Sequence, residues 1–195
     1  MATSSDNFNR SSGPLGANWN EQLGSVLEIA SSEVHHGTAN ARAQAYWVGS
    51  TFGADQYSEA LVRSSGASTN FYYVCVRCSS NTPSESAYLL RVNGSGSSAT
   101  ITKFIDAAGT NLLSIAETFS TGDTIRLEIR GSTITAKKNG AVIGTTTDTD
   151  RSTGAPGIAI FGSGARLDNW EGGDLAAEAA GSIRLRGRFT FGVGG

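Results

Sequence analysis

The sequence predicts an all-β fold, an antiparallel two-sheet sandwich. Apolar and polar residues alternate at period two in segment after segment, and turn residues separate those segments at regular spacing. Composition agrees. The chain has 25 Gly, three Pro and one Met in 195 residues, and helix-building runs of Ala, Leu, Glu and Lys are scarce.

Residues 44–48 (QAYWV) are the first confident strand, followed by 57–63 (YSEALVR), 70–77 (NFYYVCVR) and 87–92 (AYLLRV). In 70–77, Tyr73, Cys75 and Arg77 fall on one face and Tyr72, Val74 and Val76 on the other, which reads as core. Asn93-Gly94 ends the fourth strand, since both types tolerate positive φ, and 99–104 (ATITKF) returns. Residues 111–117 read equally as a short helix or a strand. In 124–130 (TIRLEIR), Ile125, Leu127 and Ile129 point inward and Arg126, Glu128 and Arg130 outward. Residues 133–138, Asn139-Gly140 and 141–145 make the strongest hairpin signal, and 157–161 and 166–171 supply two more strands. Strands with no helices between them are joined antiparallel.

At 20.2 kDa the chain suits one large all-β domain over residues 1–175, with 176–195 as a linker and an added strand. A domain of that size needs no disulfide or metal to hold it. Net charge is −2, which does not suggest a nucleic-acid partner. Three of the 15 basic residues but one of the 17 acidic ones lie in 176–195, so an acidic body carries a basic tail. The opening Met1-Ala2-Thr3-Ser4-Ser5-Asp6 has neither the basic nor the apolar region of a signal peptide. No apolar run approaches the roughly 18 residues of a membrane span. The expectation is a chain made in a cytoplasm, with no membrane partner.

The order of the segments resembles a known family. Asp6-Asn7-Phe8-Asn9-Arg10 followed by Leu15-Gly16 and Trp19 looks like the opening strand of concanavalin A-like (LamG-like) modules found in phage virion and bacterial surface proteins. Asp55-Gln56-Tyr57, the aromatic strand around Tyr72-Tyr73, and Thr121-Gly122-Asp123-Thr124-Ile125 are similar to the family's middle. So are Lys138-Asn139-Gly140, Gly154-Ala155-Pro156-Gly157-Ile158 and the closing Leu167-Asp168-Asn169-Trp170. The resemblance covers roughly residues 6–174. It implies a jelly roll whose first and last strands pair side by side. The superfold hosts lectins, hydrolases and structural modules, so it does not fix function.

Catalysis is not expected. Laminarinase-like relatives carry E-x-D-x-x-E on one strand, and the nearest match, Arg166-Leu167-Asp168-Asn169-Trp170-Glu171, has an arginine at the nucleophile position and lies on the last strand rather than a central one. His35 and His36 stand in a polar stretch without a G-x-S-x-G, and read as solvated surface residues. Cys75 and Cys78 form a C-x-x-C inside a strand. Positions i and i+3 there face opposite ways, so the two read as unrelated thiols. No cofactor is required, although calcium is a possibility that the resemblance raises. If the first and last strands adjoin, Asp6 and Asp168 come close, and Asp148-Thr149-Asp150 is a weaker candidate for the same role. The alternative is that Asp6 caps a turn and Asp168 accepts backbone hydrogen bonds. For a glycan, the candidates are Tyr57, Tyr73, Arg77 and Arg91, read as outward-facing.

The tail is the most informative segment. After a small-residue linker at 176–182, Ile183, Leu185, Phe189, Phe191 and Val193 fall on one face and Arg184, Arg186, Arg188 and Thr190 on the other. Such a strand exposes unpaired backbone groups and an apolar face. It either packs back on its own sandwich or pairs with a neighbouring subunit's sheet. The partner-binding candidates are Ile183, Arg184, Leu185, Arg186, Arg188, Phe189 and Phe191. These features predict a non-enzymatic structural or decoration protein of a phage-like particle, sited in the virion, possessing protein subunits as partners in a homo-oligomer, shell or tail. The alternative is a carbohydrate-binding adhesion module on a virion or bacterial surface, with a cell-surface glycan as partner.

Overall fold

The computed structural model describes residues 1–22, 26–37, 41–64, 66–81, 84–106 and 108–177. Among them there is no helix. The early strands are β1 (Thr3–Asp6), β2 (Gly13–Pro14), β3 (Trp19–Gln22), β4 (Leu27–Ala30), β5 (Glu33–His36) and β6 (Arg42–Trp47). The middle ones are β7 (Gln56–Ser64), β8 (Phe71–Asn81), β9 (Ser84–Asn93), β10 (Ala99–Ile105) and β11 (Ala108–Ile115). The last are β12 (Thr124–Arg130), β13 (Thr133–Lys138), β14 (Ala141–Thr147), β15 (Ala155–Phe161) and β16 (Arg166–Asp174).

They form two antiparallel sheets. One runs β14-β13-β12-β7-β16-β5-β4-β2, with β1 also pairing β16, and the other runs β11-β10-β9-β8-β15-β6-β3. First and last strands adjoin as the resemblance implies, with Asp6 opposite Trp170. The alternation at 124–130 is realised: Ile125, Leu127 and Ile129 are fully buried between the sheets. Each such side chain contributes about 1.5–3 kcal/mol by leaving water.

Three tryptophans tie the layers together. Trp19 on β3 and Trp47 on β6 come from the seven-stranded sheet and Trp170 from β16 of the nine-stranded one, with ring centroids 4.6–5.2 Å apart. Two of their indole N–H groups are satisfied, while Trp47 Nε1 has no hydrogen-bond partner among the described residues. Trp170 Nε1 donates to Ser58 Oγ at 2.9 Å, and that hydroxyl donates across the sandwich to the Gly157 carbonyl at 2.7 Å. Trp19 Nε1 donates to Asp6.

Several local expectations are settled or corrected. Of the two forms the sequence allows for 111–117, the strand is taken, with 111–115 forming the end of β11, which pairs along β10. The β4–β5 hairpin was missed because its turn is Ser31-Ser32, both at positive φ (56° and 61°), where Asn-Gly is the usual signal. His36 is buried, with 1 % of its surface exposed, since it alternates with half-buried His35 and shares the inward face with Val34. Strand β16, last in sequence, is interior to its sheet, flanked by β7 and β5.

The C-x-x-C reading changes most. Between Val76 and Ser79 the register with β9 slips by one residue, and Arg77 sits at φ 51°. This bulge inserts an extra residue and turns Cys78 to the face that carries Cys75. Both are buried in a second apolar cluster with Tyr73, Ala87, Leu89 and Ala159. Burial pushes the Cys75 thiol well up from its ordinary range. Alternation counts fail wherever a strand bulges.

Candidate functional site

The second cluster lies on the outer face of the seven-stranded sheet, and that face is concave. Arg42, on β6, places its guanidinium 4.0 Å from the ring centroid of Phe104, on β10. Strands β15, β8 and β9 lie between, and a flat sheet would hold β6 and β10 about 19 Å apart. Arg42 also ion-pairs with Glu85 of β9, and Gln22 Nε2 of β3 donates to the Ser79 carbonyl of β8 at 2.9 Å. Contacts between strands so far apart need a face that curves inward.

Strand register arranges the floor in rows. One row runs Gln22, Gln44, Ala159, Tyr73, Arg91 and Thr100 across β3, β6, β15, β8, β9 and β10. The next outward-facing row, toward one end, runs Arg42, Phe161, Phe71 and Asn93. Half-buried aromatic rings therefore flank a polar row, and Phe71 meets Phe161 edge-on at 5.8 Å. Arg91 lies exposed with its guanidinium 5.0 Å over the Phe71 ring. Tyr73 is 4 % exposed, and burial pushes its phenol up to about 12 against the pull of Arg42 and Arg91. Burial lowers the pKa of Arg42.

One buried group on this floor lacks a hydrogen-bond donor among the described residues. Gln44 Nε2 donates to Gln22 Oε1 at 2.8 Å, but Gln44 Oε1 accepts nothing. A buried acceptor of this kind is costly unless something donates to it. Glu85, 1 % exposed, is held by the Arg42 guanidinium.

Of the four residues read from the sequence as a glycan platform, Tyr73 and Arg91 come together as a cross-strand pair. The other two lie elsewhere. Tyr57 is on the outer face of the nine-stranded sheet, where its hydroxyl donates to Glu171 and Arg126 stacks 3.6 Å over its ring. Arg77 leaves the Tyr73–Cys75 face at the bulge. Its guanidinium donates to the carbonyls of Ala54, Arg151 and Gly131, which makes it a clamp on three loops. Sequence reading missed Arg42, Gln44 and Glu85. The signal was present for the first two, because Arg42 and Gln44 alternate with core residues Ala43, Ala45 and Trp47.

The acidic candidates are otherwise engaged. Asp6 Oδ1 accepts from Arg10 at 2.6 Å and from the Phe8 amide at 2.9 Å, and Oδ2 accepts from Arg10 and Trp19, both at 2.9 Å. Burial pulls this carboxyl up, but the Arg10 and Trp19 hydrogen bonds outweigh it and hold the pKa below the usual value. Asp168 faces Arg63 at 3.9 Å and accepts from the Asn169 amide. Burial raises its pKa. A hard cation wants several free oxygens, and a carboxylate already holding four donors does not fit one. Asp148 and Asp150 both hold Lys103, at 2.7 and 2.5 Å. No cluster of three or more His, Cys, Asp or Glu among the described residues could hold a metal. Asp168 and Glu171 lie on the nine-stranded sheet, on the opposite side of the sandwich from the concave face. The tail candidates Ile183, Arg184, Leu185, Arg186, Arg188, Phe189 and Phe191 lie outside the described residues.

No family model matches this chain, and no curated protein does. Solved structures do resemble it. Carbohydrate-binding module CBM66 from Bacillus subtilis superposes with a TM-score of 0.67 at 12 % identity, over 82 % of this chain and 98 % of that one. A β-1,3-1,4-glucanase (lichenase) from a mouse hindgut metagenome gives 0.64 at 8 % identity, over 89 % and 99 %. A protein of unknown function with a galectin-like fold, also from Bacillus subtilis, gives 0.61 at 9 %, over 80 % and 89 %. The chain has the jelly-roll sandwich fold that these structures share. At these identities the likeness is one of fold, which binding modules and glucanases share.

Proposed function

We propose that the protein is a non-enzymatic carbohydrate-binding module whose ligand lies on the concave face of the seven-stranded sheet. The observation that carries this reading is the line of half-buried aromatic rings, Phe71 and Phe161, beside the exposed Arg91 on one curved floor. Sugar C–H faces stack on aromatic rings, and sugar oxygens accept from an exposed guanidinium. CBM66 shares the fold and supports the reading. Catalysis is not part of it. Retaining hydrolysis needs two carboxylates about 5–5.5 Å apart, and among the described strand residues of this floor the carboxylate is Glu85, tied to Arg42. The test is a glycan array followed by titration calorimetry. Binding should appear with the wild type and fall with Phe71→Ala, while an array blank across all glycans sinks the proposal.

A second reading rests on the tail. The alternation of apolar and cationic residues over 183–193 suits docking to another subunit, as in a decoration protein of a phage-like particle. Deleting 176–195 should leave a folded monomer that no longer assembles. Unchanged oligomeric state after the deletion rules this reading out.

A further inference from the structure

We infer that the concave face takes an acidic sugar, with Arg91 as the group that reads its negative charge. The inference rests on the carbohydrate reading above and names the ligand class. It starts from how the described arginines are engaged. Arg10, Arg63 and Arg126 pair with carboxylates, and Arg77 and Arg151 donate to main-chain carbonyls. On the concave floor, Arg42 is matched by Glu85. Arg91 has no carboxylate partner among the described residues, and its ladder neighbours Tyr73 and Thr100 are uncharged.

Among the described residues that leaves Arg91 as a cation without a carboxylate on the floor, in a chain whose net charge is negative. The placement of Arg91 is specific. Its guanidinium carbon lies 5.0 Å over the Phe71 ring on an otherwise exposed residue. The planar guanidinium fork matches a carboxylate by two parallel hydrogen bonds, and a sulfate by a similar contact. The row that carries Arg91 crosses six strands of the concave sheet, from Gln22 to Thr100. An oligosaccharide lying along this row places an anionic group at Arg91. Phe161 and Phe71 flank the path on one side.

The experiment is an array of matched pairs: uronic-acid oligosaccharides beside their carboxyl-reduced forms, and sulfated oligosaccharides beside their desulfated forms. Wild-type protein and Arg91→Gln are compared, with thermal melting as the check on folding. The wild type should favour the acidic member of a pair by about tenfold or more, the scale of a charge-assisted bidentate contact. Added salt should weaken that preference, and Arg91→Gln should abolish it at an unchanged melting temperature. Preference for carboxylate over sulfate or the reverse identifies which anion fits. Equal binding of acidic and neutral members overturns the acidic class and leaves the carbohydrate reading standing. A preference that survives Arg91→Gln overturns the role of Arg91. No binding to any glycan overturns the carbohydrate reading itself. If Arg91→Gln lowers the melting temperature, Arg91→Lys, which keeps the charge without the fork, should retain part of the preference, and a complete loss there overturns the charge argument.

Discussion

Arg42 and Glu85 meet over the concave face, although two strands, β15 and β8, separate β6 from β9. The pair closes over Tyr73 and Cys75, and its cation also rests on the Phe104 ring. Such a buried pair is expensive to desolvate, and its removal is asymmetric. Arg42→Ala leaves Glu85 buried without a counter-charge and should cost about 3–5 kcal/mol in chemical denaturation. Replacing both with leucine should recover most of that loss. A double variant as unstable as Arg42→Ala would show that curvature of the sheet itself, rather than a stranded charge, depends on the pair.

The Cys75–Cys78 pair gives a chemical prediction. Burial disfavours the thiolate, which is the form that reacts. Native protein at neutral pH should therefore react with a disulfide thiol reagent only as fast as the site opens, and denaturant should raise the rate steeply. Both thiols should be released together, because one bulge holds both. Immediate modification of one cysteine in the native protein would contradict the packing described for this face.

These two sites mark the boundary of what the sequence makes legible. Period-two patterning located strands wherever pairing is regular, as at Ile125, Leu127 and Ile129. It failed at Arg77, where positive φ and one inserted residue shift every later side chain to the other face. It also failed at Ser31-Ser32, whose turn has no glycine. The Tyr73–Arg91 neighbourhood was half visible, because both residues follow strand alternation. Arg42 and Glu85 were not, since their meeting depends on the curvature of a whole sheet, which no local pattern encodes.

His36 should make stability depend on pH. Burial lowers its pKa, against the pull of the Ala41 backbone and Glu28. A base with a depressed folded pKa is held neutral, so its contribution is fully present above the unfolded value near 6.5 and lost as pH falls through the lower folded value. Melting temperature should decline across mildly acidic pH, and His36→Gln should flatten that part of the profile. An unchanged slope in the variant would assign the acid sensitivity to other groups.

Asp6 decides whether calcium matters to this fold. Its carboxylate joins Arg10, Trp19 and the Phe8 amide at the point where β1 seals against β16. With those donors in place no lone pair remains for a cation, so added calcium or a chelator should leave the melting temperature unchanged. Asp6→Asn keeps the size but loses the charge that Arg10 neutralises, and it turns one acceptor into a donor facing donors. It should destabilise by about 1–3 kcal/mol, the range for hydrogen bonds to charged groups. The pH profile adds a separate check. Because the folded carboxyl is held below its ordinary value, its contribution is present above the unfolded pKa and fades as pH falls through the folded one. A clear rise in melting temperature on adding calcium, absent in Asp6→Asn, would mean that Arg10 yields its place to the ion.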